Sequence, residues 1–265
     1  MSRLWRFVAA GLALLALGVG VFAQDQPEPS PAEEAKKQRQ QLLEQGGGIL
    51  PSDLYVAQGE ELFKAVRGPK GVSLEGCDFG RGAGQVEGVV AQLPRYFPDT
   101  GRVEDLDSRI RSCMIGLQGF KPEEVKRSEV IAIAFYLASL SHEATVDVRL
   151  ATPQEKRMYA LGEELFWVRA GPRDMGCATC HVTYRGKRSG VLPLSDVVGE
   201  KVAAHWPAYR YSNDSALTME DRIRTCYSNL GMPAPDYYSD AVIALGLWLA
   251  VQSNGAKMDL PGFIR

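Results

Sequence analysis

Cys177-Ala178-Thr179-Cys180-His181 places two thiols and an imidazole within one pentapeptide. This is the spacing by which a c-type haem is attached: the thiols add across the two vinyl groups and the adjacent histidine binds iron. A structural zinc site could instead recruit Cys226 as a fourth ligand, but zinc does not require a histidine directly after the second cysteine. A thioredoxin-like dithiol is a further alternative, but no strand–helix pattern follows the motif. The expectation is therefore one covalently attached haem c, bound through Cys177 and Cys180 and ligated by His181.

Iron held by His181 needs a sixth ligand or an open site, and two residues could supply it. Met232, in Gly231-Met232-Pro233, would raise the potential and suit a plain electron carrier. Cys226 would donate charge as a thiolate, favour ferric iron and bring a reactive sulfur to a redox centre. Arg222 stands four residues before Cys226, so on a helix the two share a face. A guanidinium there can bind an oxyanion and keep the thiol ionised. Arg222 and Arg224 could otherwise bind haem propionates or a carboxylate.

The chain that must position these groups is duplicated. Gly59-Glu60-Glu61-Leu62-Phe63 returns unchanged as Gly162-Glu163-Glu164-Leu165-Phe166, and Gly68-Pro69 returns as Gly171-Pro172. Ser108-Arg109-Ile110-Arg111-Ser112-Cys113 matches Asp221-Arg222-Ile223-Arg224-Thr225-Cys226, and Ile131-Ala132 matches Ile243-Ala244. Four landmarks in one order predict two tandem cytochrome c-like domains in a mainly α fold, each running helix, motif loop, short helix, terminal helix. Thr152-Pro153-Gln154-Glu155 is a capping box with proline at the first helical position, opening a helix to about Trp167. Val130, Ile133, Ala134 and Leu137, and again Val242, Leu245, Gly246 and Leu249, have the spacing of closing helices. Strand signals are confined to Val146–Leu150 and Val191–Leu194.

The first copy lacks the chemistry. Cys77-Asp78-Phe79-Gly80-Arg81 lies over the haem motif, with glycine for the second cysteine and arginine for the histidine. Cys77 and Cys113 then have no haem to serve. In an exported protein a disulfide is the economical reading, and two free thiols are the alternative. With four cysteines so assigned, Cys226 remains. It matches Cys113, whereas Met232 has no counterpart in the first copy, which favours Cys226 as the distal ligand.

Taken together, the two halves, the Cys177–His181 motif and Arg222-Ile223-Arg224-Thr225-Cys226 resemble the A subunits of the sulfur-oxidising SoxAX cytochromes. The resemblance covers nearly the whole mature chain and is to the single-haem type, with Cys77 and Cys113 bonded. It implies an L-cysteine S-thiosulfotransferase in which Cys226 is both the distal haem ligand and the active-site sulfur, and Arg222 holds thiosulfate. It further implies that electrons leave through the haem to a mono-haem cytochrome subunit, SoxX, and that the thiosulfate group passes to a cysteine of the carrier complex SoxYZ. A plain electron-transfer cytochrome with Met232 as ligand is the main rival. A di-haem peroxidase would need a second motif, and a scaffold role could fall to the first half.

Haem c is attached outside the cytoplasm, so an export signal is expected. Arg3 and Arg6 precede an apolar run from Phe7 to Phe22, and Val21-Phe22-Ala23 offers a cleavage site, predicting a signal peptide over 1–23 and a periplasmic protein. The run falls short of a membrane span. Residues 24–48 read as a polar arm that orders against a partner, 49–143 as the haem-less domain, 144–151 as a linker and 152–265 as the haem-binding domain. A net charge of −2 with 45% apolar residues points to no nucleic-acid or membrane partner. Tyr184-Arg185-Gly186-Lys187-Arg188 could contribute to carrier docking or be a solvated loop. His142 and His205 belong to no motif and read as solvated or core histidines.

Overall fold

The computed structural model describes residues 31–189 and 192–264. The expected signal peptide, the start of the arm and Val191 lie outside them. Among the described residues seven α-helices run in chain order: α1 Pro31–Gln45, α2 Pro51–Lys64, α3 Leu106–Gly116, α4 Arg127–Ser139, α5 Pro153–Trp167, α6 Met219–Asn229 and α7 Asp240–Gln252. The strands are short: β1 Arg95–Phe97, β2 Arg102–Glu104, β3 Arg188–Ser189, β4 Leu192–Pro193, β5 Ala208–Arg210, β6 Ser215–Leu217 and β7 Gly262–Ile264.

Each half is built on one crossed pair of helices. α2 packs on α4, and α5 packs on α7. The repeated glycine makes both crossings possible. A Cβ on Gly59 would lie 1.9 Å from the Ala132 carbonyl oxygen, and one on Gly162 would lie 2.0 Å from that of Ala244. Only a residue without a side chain lets the backbones approach so closely. Beside these crossings Phe63 lies against Tyr136 with ring centroids 5.5 Å apart, and Phe166 stacks on Trp248 at 4.2 Å. α4 and α7 are apolar almost all round because they are the buried members of their pairs.

The capping box opens α5 as the sequence predicts: Thr152 Oγ1 accepts from Glu155 N at 3.2 Å and the Glu155 carboxylate accepts from Thr152 N at 2.7 Å. The strand expectations fare differently. Val146 and Val148 are buried and Asp147 is exposed, as in a strand, but the segment is tied by separate bonds to Ala256 and Asn254 and forms no ladder. The expectation over Val191–Leu194 is met among the described residues by β4, which pairs antiparallel with β3, and two further hairpins lie elsewhere. In each half a cis X-Pro bond, Leu93-Pro94 or Trp206-Pro207, leads into an antiparallel hairpin, β1–β2 or β5–β6, which delivers the chain to α3 or α6. β7 adds to β5 in parallel, giving the order β6-β5-β7. The arm also departs from expectation, since α1 lies on the chain's own body. Its Leu42 and Leu43 join a small cluster of Leu50, Phe135, Tyr209 and Phe263.

Candidate active site

His181 sits in a single π-helical turn, Thr179–Thr183, that follows Cys177. Thr179 closes the motif loop by accepting from Gly176 N at 3.0 Å. The Nδ1 of His181 lies 2.9 Å from the Ser195 carbonyl oxygen. A carbonyl can only accept, so Nδ1 carries the proton and Nε2 is left to face the site. Across from it comes α6, opened by Thr218 and Asp221 in a capping box. One and two turns along α6 stand Arg222 and Cys226.

His181 and Cys226 lie close enough for each to shift the other's titration. Burial pushes the Cys226 thiol up, but His181, Arg222 and Arg210 together outweigh it and hold it below the ordinary thiol range. Burial also lowers the basicity of His181, and the contact with Cys226 more than restores it. Cys177 behaves otherwise: burial pushes its thiol up to about 12. Cys180 is raised by burial as well. Cys177, Cys180 and Cys226 are all unbonded, in contrast to Cys77 and Cys113.

Met232 is placed differently. It lies over Gly171, where a Cβ would come within 2.5 Å of its Cγ and 3.1 Å of its Sδ, and its backbone N–H donates to the Tyr227 carbonyl at 3.0 Å. Arg224 also turns away from Cys226, packing 3.9 Å over the Tyr237 ring and donating to the Pro235 carbonyl. Of the remaining candidates, His142 Nδ1 accepts from Leu260 N at 3.2 Å, the His205 carbonyl packs on Gly262, and Arg185 pairs with Asp196 at 3.6 Å.

The haem-less copy shows what has been given up and what has been filled in. Cys77 and Cys113 occupy the positions of Cys177 and Cys226, and they are joined with a Cα–Cα distance of 5.9 Å. Phe79 is wholly buried beside them, and Arg81, in the place of His181, points to the Glu87 carbonyl at 2.8 Å. Arg109, the counterpart of Arg222, is enclosed: its Nη1 lies 3.0 and 2.9 Å from the two Asp99 oxygens and 3.3 Å from Glu104 Oε2, and its guanidinium covers Phe97 at 4.0 Å. Aligned through the hairpins, Phe97, Asp99 and Glu104 become Arg210, Ser212 and Leu217. Arg222 consequently has no carboxylate partner among the described residues, and a second guanidinium joins it. Burial and the neighbouring Arg222 both disfavour the charged form of Arg210. Two cations held near each other beside a sulfur form a site for an anion.

The donor set fits a c-type haem: two unbonded thiols on the turn before an oriented imidazole, and a low-pKa thiol facing its free nitrogen. Among the described residues no three His, Cys, Asp or Glu side chains converge as a metal site of their own. Arg210 was not legible as a site residue. The signal was present, since Leu93-Pro94-Arg95-Tyr96 and Trp206-Pro207-Ala208-Tyr209 share the Pro-x-Tyr spacing that would have aligned it on Phe97.

Known proteins resemble this chain along most of its length. The model of the SoxA/TsdA cytochrome c domain matches residues 58–146 and again 161–258. An L-cysteine S-thiosulfotransferase subunit SoxA of Hydrogenobacter thermophilus is 42% identical over 268 residues, spanning 100% of both chains. One of the same name from Hydrogenophilus thermoluteolus is 42% identical over 227 residues, covering 81% of this chain and 83% of its own. In the crystal structure of SoxXA from P. pantotrophus, a chain 23% identical to this one has the same fold, with a TM-score of 0.68 over 78% of this chain and 76% of that one. The duplicated cytochrome c fold, the family match over both copies and the full-length relatives together establish that the chain belongs to the SoxA family.

Proposed function

We propose that this chain is the catalytic A subunit of an L-cysteine S-thiosulfotransferase, which joins thiosulfate oxidatively to a cysteine of the carrier complex SoxYZ. The contrast between the two copies supports this most directly: Arg109 is paired with Asp99 and Glu104, whereas Arg222 has no carboxylate partner among the described residues and lies beside Cys226 and Arg210. A relative that covers the chain from end to end is named as an L-cysteine S-thiosulfotransferase subunit.

A c-type haem held by Cys177, Cys180, His181 and Cys226 would supply a one-electron sink next to the reacting sulfur. The residues of the chain do the rest. Arg222 and Arg210 draw in the dianion and orient its sulfonate oxygens by charge-assisted hydrogen bonds, which leaves the outer sulfur facing Cys226. Those same charges favour the thiolate of Cys226, the nucleophilic form. Thiolate and thiosulfate each carry negative charge, so the sulfur–sulfur bond forms only as two electrons are withdrawn. They leave one at a time to a mono-haem cytochrome partner, SoxX. The carrier's cysteine thiolate then attacks the sulfane sulfur, and Cys226 departs as a thiolate ready for another cycle. Ser195 fixes the ring plane of His181 throughout through its carbonyl.

The organisation that goes with this reading is a cleaved leader over 1–23, an arm over 24–48, a haem-less domain over 49–143 and a haem-bearing domain over 152–265 joined by 144–151, working in the periplasm. The test is direct. Cys226→Ser and Arg222→Ala, each purified with haem, should both lose thiosulfate transfer to the carrier. Full activity in either variant would overturn the assignment.

A further inference from the structure

The first turn of α6 is not held by its own half alone. Arg127, the first residue of α4 in the haem-less half, reaches across. Its Nη2 lies 2.8 Å from Asp107 Oδ2, 2.6 Å from Thr218 Oγ1 and 3.0 Å from Asp221 Oδ2, within reach of all three acceptors. Its Nη1 lies 3.7 Å from Glu220 Oε2, and the guanidinium covers the Tyr237 ring at 4.3 Å. Asp107 is on α3, so one cation ties α3 and α4 of the first half to the start of the helix that carries Arg222 and Cys226.

The acceptors are the groups that define where α6 begins. Thr218 is its N-cap, and Asp221 completes the capping box by accepting from Thr218 N at 2.8 Å. Thr218 Oγ1 also contacts Asp107 Oδ2 at 2.5 Å. Tyr237 donates its hydroxyl to the other Asp221 oxygen at 2.8 Å, and its far face carries Arg224. Glu220, Asp107 and Thr218 are each at most 3% exposed, so these bonds are made in a medium where they are strong and where an alternative partner is absent. The device is one-sided. Through the Ile131–Ile243 match, the position of Arg127 in the second copy is Ser239, which is too short to return the contact.

We propose that Arg127 is a positioning residue for Cys226, and that the haem-less half serves as the brace that fixes α6 in depth and rotation against His181. The site lies two turns from the brace, so a small tilt at Thr218 displaces the sulfur. This gives the half that lost its haem a role in the reaction without contact to any reacting atom. It rests on the reading of Cys226 as the sulfur opposite His181.

The experiment compares haem-loaded Arg127→Met, Arg127→Lys, Arg67→Met and Cys226→Ser with the parent protein. Arg67 pairs with Glu129 at 2.7 Å within the same half and touches no part of α6, so it controls for the loss of a half-buried cation. Arg127→Met should split or shift the low-spin ferric signal in electron paramagnetic resonance and slow thiosulfate transfer at least tenfold. Arg127→Lys should restore most of both, and Arg67→Met should leave both unchanged. An unaltered signal and rate in Arg127→Met, or equal damage from Arg67→Met, would overturn the brace. If Arg127→Met yields no haem-loaded protein, Asp107→Asn weakens the same contact from the haem-less side and decides by the same readouts. A parent signal insensitive to Cys226→Ser would instead overturn the underlying site, which keeps the two failures distinct.

Discussion

Arg109 and Arg222 occupy one position in two copies of one fold, and only Arg109 is neutralised. Asp99 and Glu104 surround the first, while the second has Ser212 and Leu217 at those places and Arg210 where the first copy has Phe97. The duplication thus contains its own control. A buried arginine that only supports structure is satisfied by carboxylates; one that binds a transient anion must be left wanting.

Restoring the lost carboxylate should therefore quench the site. Leu217→Glu would place an acid where Glu104 meets Arg109, and Arg210→Gln would remove the second cation. Losing one charge-assisted contact costs about 1.5–3 kcal/mol, or roughly 10- to 100-fold in affinity. Both variants should retain haem and raise KM for thiosulfate by about that factor, measured by steady-state transfer to the carrier. An unchanged KM in both would show that the arginines do not meet the substrate.

The buried acid at the brace makes a prediction about pH. Burial, Asp105 and Asp107 push the Glu220 carboxyl well above the ordinary carboxylate range, against the pull of Arg127, and so favour its protonated form. A carboxyl raised above its unfolded value near 4.5 favours folding most at low pH, and that contribution declines as pH rises. Glu220→Gln imitates the protonated form at every pH. Thermal unfolding should show a smaller loss of Tm between pH 5 and 9 in the variant than in the parent. Parallel profiles would mean that Glu220 is ionised.

Cys77–Cys113 closes a sequence separation of 36 residues in the half without haem. Restricting a loop of that length in the unfolded chain is worth about 3–4 kcal/mol. Replacing both cysteines with alanine should lower stability by that order in denaturant titration while leaving the ferric spectrum intact, because neither residue reaches His181 or Cys226.

The helix crossings should be intolerant of even one methyl group. Gly162→Ala would drive a Cβ into the Ala244 carbonyl, and Gly59→Ala would do the same at Ala132. Overpacking of this kind costs about 1–3 kcal/mol, with a backbone clash at the upper end. Of the two, Gly162→Ala should also reduce haem incorporation, read from the ratio of haem to protein absorbance, because α5 leads directly into the motif loop.

Much of this molecule was legible in its sequence because the informative contacts are local or repeated. The haem motif, the Arg222–Cys226 spacing and the Thr152–Glu155 capping box each operate within one or two helical turns. The crossings were legible as a repeated pentapeptide, although the reason for the glycine needed the carbonyl on the other helix. The hairpins escaped because three-residue strands such as Arg95–Phe97 are too short for alternation to register, while Val146–Leu150 alternates without having a strand to pair with. α1 reads as a polar arm in the sequence because Leu42 and Leu43, the apolar residues that pack against the body among its described side chains, come late in the segment. Arg127 lies 91 positions from Thr218 and 94 from Asp221, and a contact at that range leaves no mark on local pattern.

The central claim is that Cys226, and not Met232, is the sulfur opposite His181. Low-temperature electron paramagnetic resonance of the ferric haem protein, recorded beside Cys226→Ser and Met232→Leu, tests it most directly. The account predicts a low-spin thiolate-type signal that disappears in Cys226→Ser and persists in Met232→Leu. A histidine–methionine signal that survives Cys226→Ser and is lost in Met232→Leu would contradict it and leave an electron carrier with a spare thiol.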